Sequence, residues 1–123
     1  MISISPVDSL DYLNELFKEF GLEINKKSSA VVALFDKERL GVCLYDIDDK
    51  GILIRELSPQ DDIMLADGIL RSALHVAAER SAMDARFAVE MPCEIFEKLG
   101  FILNKEERTL NIDKLFGGCC CGK

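Results

Sequence analysis

From Phe96 to Phe101 the chain reads Phe-Glu-Lys-Leu-Gly-Phe, and within that run a helix ends, is stopped and gives way to a strand. Ile95, Phe96 and Leu99 share one helical face, and Gly100 supplies the left-handed residue on which helices commonly finish. Phe101-Ile102-Leu103 then reads as a short apolar strand. The junction lies behind a long amphipathic helix and another short strand, so the chain is read as a mixed α/β (α+β) fold.

The remaining segments follow the same logic of hydrophobic period. Ser5 before Pro6, with Asp8 three residues on, reads as a helix start, and Leu10, Leu13, Phe17 and Phe20 repeat at helical spacing as far as Gly21. Ala30 to Phe35 is too short and too rich in β-branched residues for a helix, and is read as a buried strand. Charged turns at Asp36–Arg39 and Asp48–Gly51 lead into strands over Leu40–Ile47 and Ile52–Leu57, which makes an antiparallel meander. After Ser58-Pro59 the period changes. Ala66, Ile69, Leu70, Ala73, Leu74 and Ala77 form the stripe of a helix of roughly 18 residues ending near Ala82. A strand over Ala85–Val89, a short helix from Pro92 to Leu99, and a hairpin returning Thr109 to Ile112 complete the order.

A chain of 123 residues, 49% hydrophobic, can bury one core, and residues 1–116 are read as a single domain followed by a flexible cysteine-rich tail, 117–123. The net charge of −7 repels a nucleic-acid backbone or an anionic membrane surface, and no basic patch offsets it, so neither is expected as a partner. No apolar run is long enough to cross a bilayer and the N-terminus lacks the form of a signal peptide, which points to the cytoplasm and to reduced cysteines.

The order helix, three-stranded meander, long helix, strand, short helix, strands resembles the core of the GNAT acyl-CoA-dependent N-acyltransferases over roughly residues 2 to 115, with one of the two usual N-terminal helices absent. The Phe96–Phe101 run is similar to that family's Tyr-Glu-Lys-Leu-Gly-Phe, whose tyrosine often serves as general acid. The resemblance implies a largely antiparallel mixed sheet flanked by helices, acetyl-CoA as cofactor, a small-molecule amine as substrate and, through an exposed sheet edge, a homodimer. It also implies a pyrophosphate cradle of the form Gln/Arg-x-x-Gly-x-Gly/Ala after the fourth strand, where bare backbone and a helix N-terminus meet the phosphates.

This chain offers Leu57-Ser58-Pro59, then Gln60 to Gly68. If spacing from Pro59 is kept, Asp62, Leu65 and Asp67 occupy the motif positions; if Gly68 is the second glycine, Ile63 and Ala66 take the others. Neither register restores the motif, although Leu57, Gln60, Ala66 and Gly68 remain the candidates for holding the cofactor. Asp61, Asp62 and Asp67 would face the pyrophosphate, at a cost of about 1 kcal/mol or more for each unfavourable pair. The same aspartates also read as ordinary caps of the long helix.

Transfer to an amine needs a base and an acid. Glu56 falls where the family carries its base, and reads alternatively as an exposed strand residue paired with Arg55 or a cross-strand lysine. Phe96 has no proton to give. Cys93, in the first turn after Pro92, is the substitute at a helix N-terminus, and equally reads as a small packing residue. Cys43 in its strand reads as packing, and His75, at helical spacing from Arg71 and Glu79, as solvated.

Cys119, Cys120 and Cys121 are contiguous behind Gly117-Gly118. Adjacent Cα atoms about 3.8 Å apart fall short of the roughly 4.4 to 6.8 Å of a disulfide, so neighbours pair poorly and Cys119 with Cys121 is the less strained pair; the arm also reads as a ligand set for zinc or another thiophilic ion, though its spacing matches no closed four-ligand zinc site, or as plain reduced thiols. Two functional classes follow. One is an acyl-CoA N-acyltransferase-type domain with an impaired motif, and the other is a non-catalytic binding or interaction module on the same scaffold, with the thiol arm as a metal or redox handle.

Overall fold

The computed structural model describes residues 2–80 and 84–112. Seven strands and three helices alternate as β1 (Ile2–Pro6), α1 (Leu10–Glu19), β2 (Ser28–Phe35), β3 (Glu38–Ile47), β4 (Gly51–Ser58), α2 (Ile63–Glu79), β5 (Asp84–Phe87), α3 (Cys93–Leu99), β6 (Ile102–Asn104) and β7 (Thr109–Leu110). They form one sheet in the order β1-β2-β3-β4-β5-β7-β6. Every pairing is antiparallel except β4 with β5.

The segment read as a helix start is instead an edge strand. Ile2 to Pro6 pairs with β2 from Ile2↔Phe35 to Pro6↔Val31. Ile2 and Ile4 alternate with serines at the strand period, Ile4 packs on the main core, and proline is tolerated in an edge strand because one side of the ladder is open. Helix α1 begins after Ser9, whose Oγ accepts the Tyr12 N–H at 3.2 Å. Of the apolar repeat, Leu13 and Phe17 are buried and Phe20 partly so, whereas Leu10 is exposed and Leu16, outside the repeat, joins the buried face.

The β2–β3 loop consists of Asp36 and Lys37, both at positive φ (51° and 72°), which is the twist-matched geometry of a two-residue hairpin. In β4 the pairing with β3 shifts between Leu44↔Glu56 and Tyr45↔Ile54, leaving Arg55 as a bulge residue. The parallel pairing of β4 with β5 covers only Gly51–Ile54 against Asp84–Phe87, and the Ala88 N–H donates to the Ile54 carbonyl at 2.8 Å. Beyond that bond β4 runs on to Ser58 while the chain after β5 turns away towards α3.

Two apolar layers sandwich the sheet. The larger joins α2 and α3 to Val31, Cys43, Tyr45, Ile54, Leu57 and Phe87 on one face; the smaller packs α1 on Ala30, Val32, Val42 and Leu44 on the other. Strands β2 and β3 are thus covered on both sides, as their continuous apolar runs require. Helix α2 lies close because Gly41 faces it: a Cβ there would meet Ile69 Cδ1 at 2.5 Å and the Ser58 carbonyl at 2.7 Å. Gly100 closes α3 in the left-handed conformation (φ 78°), as the reading of the Phe96–Phe101 run anticipates. The ends differ by a few residues from the sequence reading: α2 stops at Glu79, β5 spans Asp84–Phe87 and β7 only Thr109–Leu110.

Candidate functional site

The bulge at Arg55 decides how the end of β4 presents its side chains. Ile54 and Leu57 both enter the α2 layer, whereas Glu56 pairs with Leu44 and so shares the α1 face with it. Arg55 reaches the same face, where its guanidinium lies 5.7 Å from the centre of the Phe17 ring. It does not pair with Glu56. Its Nη1 donates to the Glu23 carbonyl at 2.7 Å and to Asp46 at 3.4 Å.

Glu56 is therefore a half-buried carboxylate without a cationic partner among the described residues. Burial pushes its pKa above the ordinary value, and a backbone interaction with Leu57 offsets part of that rise. Behind it, burial drives the Cys43 thiol strongly upward, so Cys43 is packing and not a nucleophile.

Phe96 is wholly buried and stacks on Phe87, with ring centres 4.4 Å apart. The ring that stands at the family's acid position is a core group here. Cys93 is half-buried at the start of α3 and packs against the α2 layer. Its helix of only seven residues starts after Pro92, the N-cap, which makes no side-chain hydrogen bond. Register thus sets Glu56 and Cys93 on different faces of the sheet.

The segment from Leu57 to Gly68 contributes little to a cradle. Leu57 and Ala66 are fully buried in the core. Gln60 donates its Nε2–H to the Leu57 carbonyl at 3.1 Å, which ties the turn to the end of β4. Gly68 lies inside α2, where a Cβ would come within 3.2 Å of Ile4 Cδ1, so its bareness serves the packing of α2 on β1. At the N-terminus of α2 the Leu65 N–H is taken by Asp62 Oδ1 at 3.1 Å, and Asp61 and Asp62 are both exposed. The N-terminus of α2 thus carries a fixed carboxylate bonded to one of its free N–H groups.

His75 is exposed and faces Glu79 at 3.6 Å, as the helical spacing implies. Cys119, Cys120 and Cys121 lie outside the described residues, and among the described residues no three potential metal ligands cluster. No helix among them is long and apolar enough to cross a membrane.

A groove that sequence reasoning missed opens on the α1 face beside the bulge. It holds about 590 Å³ and lies over β4 and β5, between the loop after α1 and the β6–β7 turn. Leu53, Arg55, Arg86, Val89, Glu90 and Arg108 are among its lining residues. No periodicity announces it, because these residues come from separate segments brought together by strand pairing alone.

No family model and no curated protein sequence matches this chain. Solved structures do. A GNAT acetyltransferase from Elizabethkingia anophelis with acetyl-CoA bound superposes with a TM-score of 0.59 at 13% identity, covering 85% of this chain and 78% of that one. A GNAT acetyltransferase from Streptococcus pneumoniae gives 0.57 at 18% identity over 83% and 88%. The aminoglycoside 6'-N-acetyltransferase from Enterococcus faecium gives 0.57 at 17% over 80% and 83%. These likenesses, over most of the chain and of each of the structures, show that the chain has the GNAT acetyltransferase fold.

Proposed function

We propose that the chain is an N-acyltransferase-type domain in which Glu56 takes the proton of an acceptor amine. The observation that carries this reading is the placement of Glu56 on β4 just past the point where pairing with β5 ends, half-buried, unpaired by any described cation and with its pKa raised by burial. A base must be unprotonated yet avid for a proton, and a desolvated carboxylate is more avid than a solvated one. The amine substrate approaches from the α1 face, through the groove over β4 and β5 beside Arg55. Phe96 cannot supply a proton, and Cys93, at the start of α3, packs on the α2 layer, away from the face that Glu56 shares with Leu44. These residues account for the acceptor half of a transfer, while the donor half lacks a cradle for a diphosphate.

Thiol release from acetyl-CoA and from acetyl-pantetheine, measured with a panel of amines, tests the reading. Glu56→Gln is expected to lower turnover by about a hundredfold or more. Unchanged turnover removes Glu56 from the chemistry. If pantetheine serves as well as CoA, the missing cradle is explained.

The cap made by Asp62 and the buried Phe96 favour a second reading, a non-catalytic binding module on this scaffold. It predicts no acyl transfer and no stabilisation in a thermal melt, whereas acetyl-CoA at a hundredfold excess over its dissociation constant would add about 2.7 kcal/mol. The thiol arm belongs to the same reading, and a melt with zinc, compared with a variant carrying serine at 119, 120 and 121, tests it.

A further inference from the structure

Strand β1 forms one edge of the sheet, separated by β2 and β3 from the strand that carries Glu56. The Val7 N–H donates to the Ala30 carbonyl at 2.9 Å, one step beyond Pro6↔Val31 in the same register. Opposed residues of an antiparallel pair alternate between bonded and non-bonded, so Ser3 and Ser5 direct their backbone groups at β2 while Ile2, Ile4 and Pro6 turn theirs outward. Proline, which has no N–H, sits where the ladder to β2 does not need one. No described strand takes up the N–H groups of Ile2 and Ile4 or the carbonyls of Ile2, Ile4 and Pro6.

The side chains of Ile2 and Ile4 lead into an apolar groove of about 1000 Å³, to which Leu40, Pro59, Ile63 and Met64 contribute. Ile2, Ile63 and Met64 are 48%, 38% and 87% exposed, so large apolar surface stands in water beside the open ladder. The charged residues that line the groove are Asp61 and Asp62, both exposed, and no described Lys, Arg or His joins them there. An apolar small molecule would leave the ladder and the aspartates unmet, and an acidic segment would be repelled. A second copy of this chain would bring the same aspartates to the seam from both sides, in a chain whose net charge is already −7.

We propose that this edge binds an extended, basic segment of a partner protein, which adds a strand beside β1. Its backbone pairs with Ile2, Ile4 and Pro6. On one of its faces apolar side chains enter the groove against Ile2, Ile63 and Met64, and lysine or arginine side chains reach Asp61 and Asp62. Ile4 lies in the α2 layer and Glu56 shares the α1 face with Leu44, so this site is independent of the transferase reading.

The full chain is titrated by NMR at low salt with a blocked heptapeptide, Lys-Thr-Val-Thr-Val-Thr-Lys, which as a strand carries lysine and valine on one face and threonine on the other. A counterpart has glutamate for lysine, and two further versions are methylated at the threonine nitrogens or at the valine nitrogens. The lysine peptide is expected to shift the amides of Ile2, Ile4, Ile63 and Met64, and the glutamate peptide to bind about tenfold more weakly or worse, with the gap narrowing as salt is raised. Methylation blocks the ladder in one frame only, so one methylated peptide is expected to bind and the other to fail. Met64→Ser is expected to weaken the lysine peptide about tenfold and Asp61→Asn about two- to fivefold. Both positions are exposed, and both variants are checked for an unchanged amide spectrum away from the edge.

The proposal is overturned if the lysine peptide at millimolar concentration leaves these amides unmoved, if the glutamate peptide binds as well, or if the two methylated peptides behave alike. A chain that sediments alone as a dimer and separates on Met64→Ser carries its own copy on this edge, which also overturns the proposal.

Discussion

Glu56 shows how one bulge residue changes the meaning of its neighbour. In a regular strand Arg55 and Glu56 would point to opposite faces; with Arg55 unpaired in the ladder, both lie on the α1 side and Leu57 returns to the core. The carboxylate is then partly desolvated without compensation. Its pKa is raised in the folded chain, so between the ordinary value and the raised one the native state binds more protons than the unfolded state, and stability falls as pH rises through that window. Glu56→Gln removes this penalty. The melting temperature of the variant relative to the parent is expected to be more favourable at neutral pH than below the ordinary glutamate range, by no more than a few degrees because the group is only half-buried. An equal difference at both pH values would show that burial does not act on Glu56. Asp48 is the opposite case: Lys27 and the N–H groups of Lys50 and Gly51 bond its carboxylate and hold its pKa down to about 2.

Among the elements, α2 shows most clearly how local groups are used for structure. Its first turn is capped by Asp62, and its second turn meets β1 through Gly68 and Ile4. Asp62→Ala is expected to cost about 1 kcal/mol by loss of the cap, a fall of about 3 to 5 °C in melting temperature. Asp62→Asn should retain nearly all of the stability, since asparagine caps as well as aspartate. If the asparagine variant falls as far as alanine, the charge at the helix end and not the hydrogen bond is what stabilises α2. The stripe of α2 was legible because a helix brings together residues three and four apart, and Ala66, Ile69, Leu70, Ala73, Leu74 and Ala77 are all buried. The same holds for the end of α3, where Gly100 acts within a single turn. Strand β1 was not legible as a strand: only Ile4 of its five residues is even partly buried, and its order comes from hydrogen bonds to β2, some thirty residues away.

For the molecule as a whole, pairing rather than helix content sets where the structure is firm. Strand β3 is bonded on both sides and buried on both faces, while β6 and β7 hold three and two residues at the far edge. Amide exchange is expected to be slowest in β3 and the first half of β4 and fastest in β6 and β7. Equal protection across the sheet would mean that the far edge is held by contacts other than its short ladder. Residues of the α1-face groove come from β4, β5, the loop after α1 and the β6–β7 turn, and meet only because β7 inserts between β5 and β6. By itself the sequence determined the mixed fold, the stripes of α1 and α2, the glycine stop at Gly100 and the loss of a proton donor at Phe96, because each rests on residues within a turn or two of one another. The parallel β4–β5 pair, the bulge that turns Glu56 to the α1 face, the edge strand β1 and the charged groove were decided only by tertiary structure, because a strand's own pattern states which faces are buried but not which distant segment it will pair with.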